Sequence, residues 1–273
     1  MFHEIVNDTI AGRPLAVTFC PLCNASIVFE RRVGDGVFDF GTTGRLRKSD
    51  LVMYDRQTET WWQQFTGTGI VGHHGGTVLK RYPASIVAFS DFRNSYADGE
   101  VLSRETGHTR PYGQNLYRGY DSITDQPFLF TDPVDARLPP MEYVLNISIC
   151  DKHRLYPFSA LAHEPVINDD VEGLSVVVLS RAGTYSALDD GDIVGSRLIP
   201  SATAFTRRVG DQTLTFSFTD GEIVDDQTGS LWDVLGRSQS GPLIGTQLGC
   251  VPSGVHFAFA WLAFNPDSEI YSR

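Results

Sequence analysis

Apolar positions along the chain recur with a period of two rather than 3.6. Residues 25–29, 37–40, 51–54, 174–179, 214–218 and 255–261 are short runs rich in β-branched and aromatic side chains. Gly-Asp, Asp-Gly and Gly-Thr pairs bound these runs, the punctuation of strands joined by tight turns. Val33-Gly34-Asp35-Gly36-Val37 has the composition of a hairpin turn, because glycine adopts positive φ without a Cβ clash. One short helix is expected, over residues 159–164. The pattern therefore predicts a mainly β fold with few short helices.

The chain also repeats itself. Arg31-Arg32-Val33-Gly34-Asp35 recurs intact as Arg207-Arg208-Val209-Gly210-Asp211. His3-Glu4-Ile5-Val6-Asn7-Asp8 is echoed by His163-Glu164-Pro165-Val166-Ile167-Asn168-Asp169 with one inserted residue. Asp55 to Trp62 matches Asp225 to Trp232, and Asp98 to Arg104 matches Asp267 to Arg273. Four matches in the same order, at a nearly constant offset, predict an internal duplication. The expected organisation is a first unit at 1–104, an ordered irregular connection at 105–140, and a second unit at 141–273. The two β-rich units are expected to pack with pseudo-twofold symmetry. Asp55, Thr58 and Trp62, like Asp225, Thr228 and Trp232, read as a turn tied by its own side chains, with the tryptophan filling the core. Upstream of His163 stands a strand pair that has no counterpart before His3, so the first unit reads as truncated at its N terminus.

Charge narrows the partners. With 22 Lys+Arg against 33 Asp+Glu, the net charge of −11 opposes nucleic-acid binding, which needs a basic footprint. The longest apolar run, 255–264, contains His256 and falls far short of the roughly 18 residues of a spanning helix. A small molecule or a metal ion remains as the expected partner class, and nothing in the sequence assigns an oligomeric state.

The most specific local motif is Phe19-Cys20-Pro21-Leu22-Cys23-Asn24. Its flanks read as strands, so the two cysteines sit in a tight strand-to-strand turn resembling a metal knuckle. Asn24 suits the left-handed backbone that such a turn needs after its second cysteine. As a redox dithiol or nucleophile, Cys20 and Cys23 would be the catalytic residues. As a metal site they would be ligands together with His3 and Met53, and the metal would be copper or zinc, which thiolates favour. A disulfide or a plain buried structural role is the alternative, which would make the protein a non-catalytic binding module. The second unit carries Ser180-Arg181 where the first has Phe19-Cys20, so a single site belongs to the first unit. Arg45, Ser49 and Asp55 are candidate neighbours. Gly67-Thr68-Gly69-Ile70-Val71-Gly72 spells a dinucleotide pattern, but His73-His74-Gly75-Gly76 follows where a helix should start.

These features together resemble the bacterial and archaeal domain-of-unknown-function family 3179. The resemblance rests on His3 to Asp8, Val17 to Asn24, Gly44-Arg45-Leu46 leading into Leu51 to Asp55, and Trp62 to Gly67. Tyr112-Gly113 to Gly119-Tyr120 and Leu155-Tyr156-Pro157-Phe158 complete it. The family implies no activity that transfers to this chain. It does imply an export signal and a segment like Arg154 to Pro157 before the His-Glu motif, where this chain begins at the motif itself. The resemblance and the apparent truncation allow an extracytoplasmic origin, and the compartment is left unassigned.

Overall fold

The computed structural model describes residues 2–272. In chain order it contains β1 (Ile5–Ile10), β2 (Arg13–Cys20), β3 (Ala25–Glu30), β4 (Arg32–Val33), β5 (Gly36–Val37), β6 (Phe40–Arg47), β7 (Asp50–Asp55), β8 (Trp61–Gln63), β9 (Thr68–Val71), β10 (Arg81–Tyr82) and α1 (Phe89–Ser95). An irregular stretch leads to β11 (Tyr143–Ile149), β12 (Lys152–Pro157), α2 (Phe158–Leu161), β13 (Val166–Val171), β14 (Leu174–Tyr185), β15 (Leu198–Thr206), β16 (Arg208–Val209) and β17 (Gln212–Thr213). Then follow β18 (Phe216–Thr219), β19 (Glu222–Asp225), β20 (Leu231–Trp232), β21 (Ser238–Ser240), β22 (Ser253–Phe257), α3 (Ala258–Phe264) and β23 (Glu269–Ile270). The fold is mainly β, with 43% of residues in strands and 8% in helices. None of the described helices is long and apolar enough to cross a membrane.

The sheets run in the orders β1-β2-β3-β10, β6-β7-β8-β9, β13-β14-β15 and β18-β19-β20-β21, with the ribbons β4-β5 and β16-β17 between them. A further sheet, β22-β11-β12-β23, is assembled from the second half of the chain. One cluster of buried side chains joins the two halves: Phe29, Phe40, Met53, Trp62 and Phe65 pack with Leu145, Tyr156, Phe257 and Phe259. A second, around Val177, Phe205 and Trp232, lies within the later half.

Matched residues make matched contacts. The Asn7 side chain bonds both the N–H and the carbonyl of Phe40, and Asn168 does the same to Phe216. Asp55 accepts from Thr58 N–H and from Trp62 Nε1 at 2.9 Å; Asp225 accepts from Thr228 N–H and from Trp232 Nε1 at 3.0 Å. A Cβ on Gly67 would lie 2.7 Å from the Phe29 ring, and one on Gly236 would lie 2.8 Å from Phe205. We propose on these grounds that 1–104 and 141–273 are copies of one unit joined by 105–140.

Several expected elements differ in extent. The run 255–261 is not one strand: β22 ends at Phe257 and α3 begins at Ala258. Ala258 to Phe264 contains no β-branched residue and three alanines, which favours helix. A fully buried helix and a short apolar strand look alike to a period count. The expected helix at 159–164 is α2, shifted to Phe158–Leu161, and the strand expected at 214–218 begins at Phe216. The run 37–40 straddles the end of β5 and the start of β6.

The aspartate turns should carry much of the stability. Asp225→Ala leaves Trp232 Nε1 and Thr228 N–H without their acceptor in a buried setting. Unfolding free energy should fall by about 2–4 kcal/mol, and by a similar amount for Asp55→Ala. Urea denaturation measures both; a loss below about 1 kcal/mol would mean that water replaces the carboxylate.

Candidate functional site

The site is built by two turns that meet in the core. The first follows β2. Cys23 N–H donates to Cys20 O and Asn24 N–H to Pro21 O, each at 3.3 Å, and Asn24 takes φ of 48° before the chain enters β3. Asparagine tolerates this left-handed conformation better than most side chains. The strand-to-strand turn places no helix N-terminus at Cys20. Phe257 N–H donates to Cys23 O at 3.0 Å, which docks the end of β22 on the turn.

The second turn joins β6 to β7, with Arg47 paired to Asp50 across a two-residue loop. Lys48 and Ser49 both have positive φ, 55° and 63°. Such a loop usually selects Asn-Gly, and a side chain there costs about 1–2 kcal/mol per residue. Tertiary bonds hold it in place: Lys48 Nζ donates to Ala263 O at 2.6 Å, and Ser49 Oγ donates to Phe128 O. The outcome is a Ser49 carbonyl lying 3.5 Å from Cys23 Sγ and 4.0 Å from Cys20 Sγ.

Asp50 starts β7 and is fully buried. Its Oδ2 accepts from Phe65 N–H at 2.8 Å and from Gln63 Nε2, whereas Oδ1 has no hydrogen-bond partner. Ligand atoms of Cys20, Cys23 and Asp50 all lie within 4.8 Å of one another, and the two sulfurs are 4.0 Å apart. Burial pushes the Asp50 carboxyl up to about 7, against the opposing hydrogen bonds of Phe65 N–H, Gln63 and the Cys20 and Cys23 thiols. Burial likewise pushes the Cys23 thiol up, assisted by Cys20 and Asp50. Among the described residues no lysine, arginine or histidine forms an ion pair with Asp50. Three acidic groups thus lie buried together, and none of them forms an ion pair among the described residues.

The connection at 105–140 covers this space. Tyr120 OH donates to Leu22 O at 3.1 Å and accepts from Phe128 N–H at 3.2 Å, while Phe128 O takes the Ser49 hydroxyl. Burial, with the nearby sulfurs, holds the Tyr120 hydroxyl up to about 12, so it stays a donor.

Of the residues expected from sequence, Cys20, Cys23 and Ser49 come together. His3 Nε2 is instead 2.9 Å from Tyr112 Oη, with its ring 5.5 Å from that of His108. Met53 is buried three residues along β7 from Asp50, so strand alternation places it on the opposite face. Arg45 is exposed, and Asp55 serves the Trp62 turn. Gly67 to Gly72 leads into and through β9, and a Cβ on Gly69 would lie 2.2 Å from His74 O, so close packing accounts for that glycine. Asp50 was missed, although an acidic residue opening the apolar run Leu51-Val52-Met53 is a legible sign of a buried carboxyl. Tyr120 and Phe128 reach the site only through long-range folding.

Asp50 gives the metal-free protein a pH signature. Its folded pKa of about 7 exceeds the ordinary 3.8, so the folded state holds more protons than the unfolded state between those values. Stability should therefore fall as pH rises from about 4 to 7, and Asp50→Asn should flatten that part of the profile. Urea midpoints of chelator-treated protein at several pH values test this; parallel profiles for parent and variant would contradict it.

Neither a curated protein nor a solved structure matches the chain. The family described as "Protein of unknown function (DUF3179)" matches residues 1–268. That span takes in the cysteine turn, the Lys48-Ser49 turn and the covering segment, so the whole site falls inside the match. By this near-complete coverage the chain belongs to the DUF3179 family.

Proposed function

We propose that Cys20, Cys23 and Asp50 hold a metal ion, and that the protein is a metal-binding member of its family. The observation that carries this reading is the Asp50 Oδ1, buried with no N–H or O–H donor beside two sulfurs 4.0 Å apart. Two thiolates on one tetrahedral zinc, with Zn–S near 2.3 Å, sit about 3.8 Å apart. Disulfide sulfurs sit about 2.05 Å apart, so closing that bond would need both side chains to move within a packed core. A bound cation would also supply the positive charge that three buried acidic groups otherwise lack.

Two thiolates with a carboxylate oxygen form a mixed donor set, which favours zinc over copper(I), the softer ion. Ser49 O offers a further oxygen, whereas His3 lies at Tyr112 and Met53 on the opposite face of β7, so neither is part of this donor set. With both cysteines and Asp50 buried beneath Tyr120 and Phe128, the reading is of a closed, structural centre rather than a catalytic one with an open position. A redox dithiol is the second reading, since all four cysteines are free; it lacks the helix N-terminus that lowers a thiol pKa.

Elemental analysis of freshly purified protein should find about one zinc per chain. Cys20→Ser should lose most of it and Asp50→Asn should lower affinity at least tenfold, while replacing the exposed Cys150 and Cys250 leaves the content unchanged. Equal metal in parent and Cys20→Ser, or none in either, would overturn the proposal. A thiol titration that changes by two on reduction would favour the dithiol instead.

A further inference from the structure

A cavity of about 240 Å³ lies between the β3–β10 pair and the β11–β22 pair, with none of the proposed metal ligands in its lining. In the β11–β22 register Asn146 stands opposite Gly254, and Val144 opposite His256. Strand alternation therefore places Asn146, Ser148, Gly254 and His256 on one face. Gly254 leaves a dent in that face. A Cβ there would lie 2.8 Å from His256 Nε2 and 3.5 Å from Asn146 Oδ1, so the missing side chain opens the space on which two polar groups converge.

Each group carries one unpartnered atom, Oδ1 on the asparagine and Nδ1 on the histidine, whose Nε2 is the atom nearest the dent. Asn146 is 4% exposed and His256 3%, yet Asn146 Oδ1 and His256 Nδ1 form no hydrogen bond. Buried groups left so typically cost about 1–3 kcal/mol each. The amide's orientation has a clear origin: Asn146 Nδ2 donates to Ser148 Oγ at 3.0 Å, and that hydroxyl also contacts His153 Nδ1 at 2.9 Å, which turns Oδ1 away from the network. Burial, with the nearby Arg81, pushes His256 down to about 3, so its imidazole is neutral and offers one donor and one acceptor.

Arg81 is the one charged side chain along the cavity wall. Its Nη2 donates to Phe65 O, which positions the guanidinium and leaves other N–H groups of the fork free to bind. Ile27, Val251 and Pro252 form the apolar wall. A guanidinium calls for a carboxylate, the amide oxygen calls for a hydroxyl or N–H donor, and the small volume excludes a large molecule.

We infer that this cavity binds a small hydroxy- or amino-carboxylate, with its carboxylate on Arg81 and its donor group on Asn146 and His256. This inference does not rest on the metal reading: none of its polar residues is a proposed metal ligand, although Phe65 links Arg81 to Asp50.

Amide chemical-shift titration of the parent protein with lactate, malate and serine tests it, with propionate as the analogue lacking a donor. At least one of the three should bind saturably at millimolar concentration, and propionate should bind about tenfold more weakly than lactate if lactate is the one bound. Gly254→Ala, which fills the dent without any positive-φ conflict, should abolish binding. Arg81→Gln should weaken it at least tenfold and decides the matter should Gly254→Ala fail to fold. Saturable binding by none of the three, or binding unchanged in Arg81→Gln, would overturn the inference. Both outcomes are read on chelator-treated protein as well as on untreated protein, which separates them from any failure of the metal proposal.

Discussion

Asp50 is a carboxylate buried where a carboxylate is costly, and much of the first half of the chain is arranged around it. Its Oδ2 fixes Phe65 N–H and Gln63, which ties β7 to β8 and the segment after it. The preceding turn then has little freedom: Lys48 and Ser49 adopt positive φ because Ala263, from the end of α3, and Phe128, from the connection, hold their side chains. Strain of this kind persists only where surrounding contacts over-determine the backbone. Here those contacts come from two regions far apart in sequence. The cysteine turn, the connection and α3 are coupled through the two-residue turn that precedes Asp50.

Phe65 extends that coupling further. Its N–H serves Asp50, its carbonyl accepts from Arg81, and its ring lies 4.9 Å from the His256 ring centroid. The backbone of one residue thus lies between the acidic cluster and the polar cavity. A shift at Asp50 large enough to displace the Phe65 peptide would be felt at Arg81, since both bonds belong to that residue. The arrangement also explains why the cavity sits where it does: β10 pairs only at Arg81 and Tyr82 with β3, leaving the rest of that edge open beside β22.

The Asp55 and Asp225 turns have a different character. Each satisfies its buried carboxylate completely within the turn, through threonine and tryptophan donors close in sequence. Such local bonds form with little loop-closure entropy and need no contact from the other half of the chain. Asp50 contrasts with them because its Oδ1 has no N–H or O–H donor, with only the cysteine thiols beside it. Among these three buried aspartates, the one with an orphan oxygen is the one beside the cysteines. That contrast separates a turn built for the fold from a site with room for a ligand.

The sequence by itself determined what rests on short-range order. Period-two runs with turn residues between them made the mainly β fold legible. The Asp-Thr-Trp spacing foretold the closed turns, and Cys20 to Asn24 announced a strand-to-strand turn because asparagine tolerates its backbone. Tertiary structure alone decided the third member of the cluster. Asp50 reaches the sulfurs only because β7 packs against the β2–β3 turn, and Tyr120 and Phe128 arrive from a segment with no periodic pattern to read. Tertiary structure also turned the run after Phe257 from strand to helix, where burial on every side erases the contrast between apolar and polar positions. The Asn146–His256 cavity was illegible for the same reason: its meaning lies in a glycine opposite an asparagine, and cross-strand register is not written in either strand alone.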